Sequence, residues 1–468
     1  MPVNDRDPAW AEHQGDRKKV ADIFAGRECA VGYIRGLPGW DVATLQNIQE
    51  GAYFLPMVAR TVETFGGLVF MKAPSRTLPA GLEPYLKDVT QSGQEVDRFA
   101  EQTLDAVMLS GAVMVLVDYP SSSERVTRAR AEEMGRRPVL RLYDGNAILA
   151  ARTMQVGAAR KLSHVRLLEQ VQEEDPQDRF KLVEIEQVRV LDLVDGSYVQ
   201  TVWRAKDGQW SAIETVTPTM NAKALDAIPA FFSNTRDGEP VPAKPPLTDL
   251  ADINVAHLNN AAQYEWALAW LGAPVLFGAG ISLNEGETIQ MGASSAVITG
   301  EANAKLEIVQ ADAAKFSGLK TAMDDKRRDA AALGARMLME SPRAAIAAET
   351  ARIERAGETS VVGAMANAVS QCLTNALTFM AQWAGVSGDV LYWLNTDLLP
   401  AGMDPQQLEA LLKAWQSGAI SKRELFAKLQ QGEIVDPAKS YEDHEEEVAE
   451  EGAAPGLVEE DEAPPEAA

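Results

Sequence analysis

The stretch PPLTDLADINVAHLNNAAQYEWALAWLGAP, Pro245 to Pro274, decides the reading of the whole chain. Proline fits just before or within a first helical turn but not further in, so the pair Pro245-Pro246 predicts a helix starting near Thr248. Gly272-Ala273-Pro274 ends it, because a proline disfavours helical backbone at the residue before it. The roughly 25 residues between would span about 37 Å. A partner helix follows from about Lys315 to Met339, with Leu319, Met323, Ala330, Leu333 and Met337 on one side and a stop at Ser341-Pro342. The two helices bracket a small α/β insert. Its strand-like pieces, Val275–Phe277, Thr288–Met291, Ser295–Thr299 and Lys305–Gln310, are set among glycines and asparagines.

Upstream, residues 1–110 read as mostly helical, broken at Gly36-Leu37-Pro38-Gly39 and at Ala73-Pro74. The apolar run Ala112–Val117 predicts a short buried strand. Leu162–Val171, Phe180–Leu193, Tyr198–Arg204 and Gln209–Val216 alternate or run apolar, with turns at Asp195-Gly196 and Asp207-Gly208, which is an antiparallel meander. Four prolines between Asp237 and Pro246 form a stiff connector. Downstream, a long helix opens near Glu349 and is expected to bend at Gly357. Asn367, Gln371, Asn375, Thr378 and Gln382 make an uncharged polar stripe on it, while Val362, Val369, Leu373, Leu377 and Met380 take the other side. Solvated helix faces normally carry Lys and Glu, so this stripe is expected to lie against protein, between subunits or between domains, or else in a confined wet space. Tyr392–Asn395 reads as a strand, and Asp404–Trp415 with Ser421–Gln430 as a helical pair. The fold class is α+β, mainly helical.

The 468 residues are 46% hydrophobic and 24% charged, far too apolar for a wholly disordered chain. A net charge of −24 argues against an open basic face gripping nucleic acid. Residues 440–468 hold twelve Asp or Glu and no Lys or Arg, half of that net charge, and their composition predicts a disordered acidic tail. Such a tail either solubilises the chain or binds a partner. Cys29 and Cys372 lie far apart and Met1 to Val20 has no apolar signal core, which fits a reducing cytoplasm. The uncharged stretches Trp266–Asn284 and Thr359–Gly388 are too interrupted by Gly, Pro and polar side chains to read as membrane spans.

No zinc-binding spacing, phosphate loop or nucleophile elbow occurs, and Gly278-Ala279-Gly280 lacks the third glycine of a dinucleotide fingerprint. The histidines are His13, His164, His257 and His444. His257, among Asn254, Asn259 and Asn260, reads as a packing or interface residue. Asp324, Asp325 and Asp329 are interleaved with Lys326, Arg327 and Arg328, which suits a salt-bridge network better than a metal site. We expect no catalytic residues, no metal and no cofactor.

The order of these elements resembles the portal protein of tailed bacteriophages. The segments that carry the likeness to one branch of that family, itself labelled an uncharacterised domain, are Tyr53-Phe54-Leu55-Pro56, Leu68 to Pro74 (LVFMKAP), Leu116-Val117-Asp118-Tyr119-Pro120, Pro246 to Ala251 (PLTDLA) and Glu349-Thr350-Ala351. The similarity runs over roughly residues 30–435 and lies in the order of the segments.

The resemblance implies a ring, usually dodecameric in virions, at one capsid vertex, assembled in the host cytoplasm. It implies a conduit for double-stranded DNA and a docking site for the terminase large subunit and a head-tail adaptor, in contact with major capsid and scaffolding proteins, with no membrane and no enzyme activity of its own. The implied domains are a wing (1–246 with the long bent helix and strand of 349–400), stem helices 247–272 and 316–341, a clip 273–315, a tunnel loop 340–348 and a helical crown 401–439. Arg343, with Lys326, Arg327 and Arg328, would face DNA in the channel, although Arg343 could equally pair with Glu340 or Glu349. Asn284, Glu285 and Glu287 of the clip would meet terminase or adaptor. Leu373, Leu377, Asn367, Gln371 and Asn375 would pack between subunits. The competing readings are another head-tail connector or capsid-vertex protein, and a metal-dependent nuclease using Asp324, Asp325 and Glu349.

Overall fold

A computed structural model describes residues 2–120, 135–175, 177–206, 208–272, 275–280, 303–309, 317–335, 348–396, 398, 405–431, 434–435 and 439–451. The chain divides into two units, Met1–Leu398 and Leu399–Ala468. In the first unit the longer helices are α1 (Gln14–Ala25), α2 (Val42–Gly51), α3 (Met57–Val69), α4 (Val96–Ser110), α5 (Thr248–Gly272), α6 (Ser317–Ala330) and α7 (Ala348–Ala384). Its main strands are β1 (Ser75–Thr77), β2 (Ala112–Asp118), β3 (Val139–Asp144), β4 (Ile148–Val156), β5 (Ala159–Asp175), β6 (Asp178–Val194), β7 (Ser197–Lys206), β8 (Gln209–Val216), β9 (Ala230–Asn234), β10 (Val275–Ala279), β11 (Lys305–Val309) and β12 (Leu391–Trp393). Helix and sheet are mixed, as α+β requires.

Strand β2 is buried along its whole length, in the centre of the sheet β9-β2-β3. Its side chains alternate between two cores. Val113, Val115 and Val117 enter a helical core with Val58, Leu104, Leu250, Val369 and Leu373. Ala112, Met114 and Leu116 point the other way, into a second core with Ile148, Leu167, Leu191 and Tyr198 of the five-stranded sheet β4-β5-β6-β7-β8. Helix α4 feeds β2 through Gly111, which adopts φ +77° and lies so close to the proline connector that a Cβ would meet the Ala243 carbonyl oxygen at 2.4 Å. Only glycine meets both demands.

The five-stranded meander contains the four expected strands and one more, β4. Polar contacts bind it to its surroundings. The Glu169 carboxylate accepts from Tyr143 Oη at 2.6 Å, Arg189 Nε at 2.7 Å and Gln187 Nε2 at 2.6 Å, and Asp118 accepts from Arg141 Nε at 2.8 Å. Burial would raise the Glu169 pKa, but Arg189 and these hydrogen bonds hold it below the ordinary value. The N-terminal segment is laced across β4 and β5: Asp7 takes a bidentate pair from Arg152 and a 2.7 Å bond from Arg166, and Arg6 donates to the Asn146 and Ile148 carbonyls.

Helix α5 spans Thr248–Gly272, where the prolines and glycine set its limits. Its fully buried Asn254 accepts from the backbone N–H groups of Met57 and Val58 at 3.1 and 3.4 Å and donates to the Leu55 carbonyl at 2.9 Å, so α5 caps the N-terminus of α3 from outside. The partner helix differs from expectation. Regular α-helix ends at Ala330, and the wider turns of Ala331–Ala335 follow, with Gly334 at φ +111°. A Cβ at Gly334 would stand 3.2 Å from the Phe65 ring of α3, so the glycine sits at a close approach of the two segments, in a backbone conformation that suits it. Of the insert, β10 and β11 pair antiparallel, while 281–302 lie outside the described residues. Helix α7 continues through Gly357 without a break, and β12 pairs with β1.

The second unit holds α8 (Pro405–Gln416), α9 (Lys422–Gln431) and α10 (Tyr441–Glu451). Helix α10 corrects the expectation of a tail disordered from residue 440. Ser440 Oγ accepts from the Asp443 N–H at 3.0 Å, Glu442 and Asp443 suit the positive end of the helix, and Phe426 packs on Tyr441 and His444 with ring centroids 5.3 and 4.8 Å apart. Residues 452–468 lie outside the described residues.

Because Leu116 is fully buried where the two sheets share a core, Leu116→Ala should cost about 2–5 kcal/mol. The measurement is the shift in the urea midpoint, and a loss under about 1 kcal/mol would contradict this packing.

Candidate functional site

Helices α5 and α6 pack against each other, and the charged run of α6 faces partly outward. Arg327 pairs with Asp324 at 3.5 Å and Arg328 with Asp325 at 3.2 Å, each one turn away on the same helix, and Lys326 Nζ donates to the Ala322 carbonyl at 3.4 Å. The salt-bridge reading of this run therefore describes its geometry. Such exposed pairs are worth little and exchange readily with another anion. The Glu349 side chain, third acid of the nuclease reading, lies outside the described residues, as do Arg343 and most of the loop 340–348, and Asn284, Glu285 and Glu287.

On the α5 side, His257 is fully buried, and both its ring nitrogens lack a hydrogen-bond partner among the described residues. Burial, then Arg327 and Lys326, push its pKa down to about 4, with Asp324 opposing. His257 is thus neutral packing at neutral pH, as the sequence suggests. The sequence marks its neighbours Asn254 and Asn259 only as surroundings, yet Asn254 caps α3 and Asn259 bonds the Arg35 N–H at 2.8 Å and the Tyr33 carbonyl at 3.1 Å. No periodicity signal marks a side chain that serves another element's backbone.

Helix α7 presents the other predicted surface. From Val361 to Ala384 it contains no Asp, Glu, Lys, Arg or His. Leu373 and Leu377, expected between subunits, are fully buried in the chain's own helical core, where α7 packs on β9 and α4; their contacts are internal. Asn367, Gln371 and Asn375 lie on the opposite side and are exposed, with Gln371 Nε2 donating to Asn375 Oδ1 at 3.0 Å. Between the two faces, Ser370 accepts from the Leu394 N–H at 2.9 Å, and Thr374 both accepts from and donates to the Tyr392 backbone, fixing β12. Cys372 donates to the Phe231 carbonyl at 3.3 Å, and burial pushes its thiol up to about 12, which makes it inert.

Residues 246–384, less than half of the chain, match a family described as Domain of unknown function (DUF4055). No curated protein matches. Among solved structures, the chain is similar to a protein in the neck of an empty GTA particle computed with C6 symmetry, at 14% identity and TM-score 0.45, over 85% of this chain and 95% of that one. It is also similar to a chain in the virion of a native gene transfer agent particle, at 14% identity and TM-score 0.40, over 86% and 97%. A third likeness is to the neck of a native GTA particle computed with C12 symmetry, at 15% and 0.41, over 86% and 98%. TM-scores this low carry no argument about fold or function. No described helix is long and apolar enough to cross a membrane.

The His257 geometry fixes a pH dependence. Its pKa is depressed in the fold, so its contribution is fully present above the ordinary value of 6.5 and is lost as pH falls from 6.5 towards about 4. Thermal melts of His257→Leu should therefore decline less than wild type across that window. Parallel decline in both proteins would show that His257 does not titrate as the burial requires.

Proposed function

We propose that the chain is a structural component of the head-tail junction of a phage-like particle, and within that class the portal: a closed ring of copies at one capsid vertex through which DNA enters and leaves. The observation that carries the reading is the exposed face of α7. A chain of net charge −24 repels its copies, and a helix without a single charged residue from Val361 to Ala384, its amide stripe left uncovered, is where copies can approach without that cost. The helix–insert–helix order of α5, β10–β11 and α6 supports the same reading. In it α5 and α6 are the stem, the β10–β11 insert the clip, α7 with the sheets the wing and residues 401–439 of the second unit the crown.

The electrostatics suit a conduit. Each phosphate a protein neutralises adds affinity and hence friction to moving DNA. In this reading the α6 cations, held by Asp324 and Asp325, and one arginine per subunit at position 343 touch phosphate without clamping it. Terminase and later an adaptor dock at Asn284, Glu285 and Glu287 in the clip; capsid and scaffolding proteins surround the ring, and the chain itself has no enzyme activity. Another head-tail connector at the same junction is the second reading, and it shares the charge-free α7 face.

Native mass spectrometry and light scattering at moderate salt should find one large closed oligomer, visible as rings in negative stain. A chain that stays monomeric at every salt and concentration, also with capsid and scaffolding proteins present, would overturn the reading. Arg343→Glu should leave rings intact but lower the DNA packaged or retained, more at low salt than at high. Normal packaging at all salt concentrations in particles shown to contain the substitution would remove Arg343 from the channel.

A further inference from the structure

Strands β5 and β6 outrun the sheet they belong to. Pairing with β4 ends at Leu167 and pairing with β7 at Gln187, yet β5 and β6 remain paired to Asp175 and Asp178. Residues beyond those limits form a two-stranded ribbon about 25 Å long, with no further strand on either outer edge among the described residues; of the backbone groups there, only the Leu168 N–H at its base bonds outward, to the Ala147 carbonyl at 2.8 Å. Such a ribbon is marginal in water by itself and its edges invite a partner.

Its tip is apolar and acidic. Phe180 is 84% exposed and Leu182 59%, and the register places both on the face that also carries Glu174 and Glu184. Residues 170–186 hold six carboxylates against Arg179 and Lys181. The opposite end of the same sheet is complementary. Met154 is 44% exposed and Val156 41%, Lys161 pairs across from Met154, and residues 152–161 contain Arg152, Arg160 and Lys161 but no acid. Lys161 reaches Asp226 at 3.0 Å and Arg160 reaches Glu239 at 3.5 Å, in pairs whose acids are largely exposed, so incoming carboxylates can replace those partners at little cost. Strand β5 starts at the basic end and finishes at the acidic tip. Its 17 residues extend over about 56 Å, so the two ends cannot meet within one chain.

We propose that the acidic, apolar tip of the β5–β6 ribbon seats on the basic, apolar outer end of the β4–β5 pair in a second copy of this chain. Phe180 and Leu182 cover Met154 and Val156, and Glu174 and Glu184 approach Lys161, which shares the Met154 face; Arg160, opposite Gln155, lies on the other face. The contact joins two different patches, so it can be made once per pair, head to tail, or twice in a two-fold pair; the ring of the proposed function takes the head-to-tail form, the kind that closes into a ring or runs on as a filament. The inference rests on the self-assembly part of the proposed function and adds a second contact to the α7 face.

The test is a charge swap in the full-length protein, read by sedimentation velocity at low and moderate salt. Glu174→Lys with Glu184→Lys, and separately Lys161→Glu, should each weaken self-association about tenfold at low salt, with unchanged thermal melts, while Arg160→Glu on the other face should not. Lys161→Glu combined with the two Glu→Lys changes should restore it. A photoreactive phenylalanine analogue at position 180 should cross-link to residues 148–161 of another copy. Oligomers that form normally in both the Glu174/Glu184 variant and Lys161→Glu, or a cross-link that maps elsewhere or to another protein, would overturn this contact and leave the ring reading standing. A wild-type chain that never self-associates would overturn both.

Discussion

Everything in the first unit depends on one constraint: β2 must be dry on both faces. A strand with one wet face can tolerate polar residues at every second position, but Ala112 to Val117 cannot, because alternate side chains belong to different cores. Burying both faces forces a helical layer on one side and the five-stranded sheet on the other. It also fixes register, since a slip of one residue would exchange Val115 with Leu116 between cores of different shape. Gly111 and the tight approach of Ala243 follow from the same demand, because the chain must turn sharply from α4 into a strand already enclosed by the connector that leads to α5.

What could be read from the residues alone was what local chemistry determines. The limits of α5 were legible because Pro246 and Gly272-Ala273-Pro274 act through backbone sterics within a few residues. The hairpins were legible because Asp195-Gly196 and its relatives are turn formers. Strand β4 is not legible: Ile148, Leu149 and Ala150 are all buried before the alternation begins, so no period of two announces it. Helix α10 was hidden because its stability comes from Phe426, fifteen residues before Tyr441, and composition alone records only the excess of acid. At the irregular end of α6, Gly334 lies close to the Phe65 ring, a neighbour that no window around Gly334 contains.

The same limit explains the fate of the site residues on α7. The sequence separates a polar stripe from an apolar one, but both read as faces that want a partner, and the partner's identity is a tertiary fact. Leu373 and Leu377 found theirs inside the chain, in the β9 and α4 layer, whereas Asn367, Gln371 and Asn375 did not. Asn254 is the converse case. A polar residue in a helix reads as solvent-facing, yet this one is fully buried because the first N–H groups of α3 need an acceptor that their own segment lacks.

Charge then decides which uncovered surfaces can serve assembly. At physiological salt the Debye length is about 8 Å, so a charge farther than that from a contact hardly opposes it. The total of −24 is therefore less important than its placement, and the chain places it unevenly: half lies in residues 440–468, and none in Val361–Ala384. An amide stripe lets like-charged copies approach without repulsion, but it supplies little attraction, since each amide exchanges one hydrogen bond to water for another. Direction and strength must come from elsewhere. Exposed apolar side chains flanked by opposite charges, at sites too far apart to satisfy each other within one chain, provide both, and the two ends of β5 are such a pair of sites in the first unit.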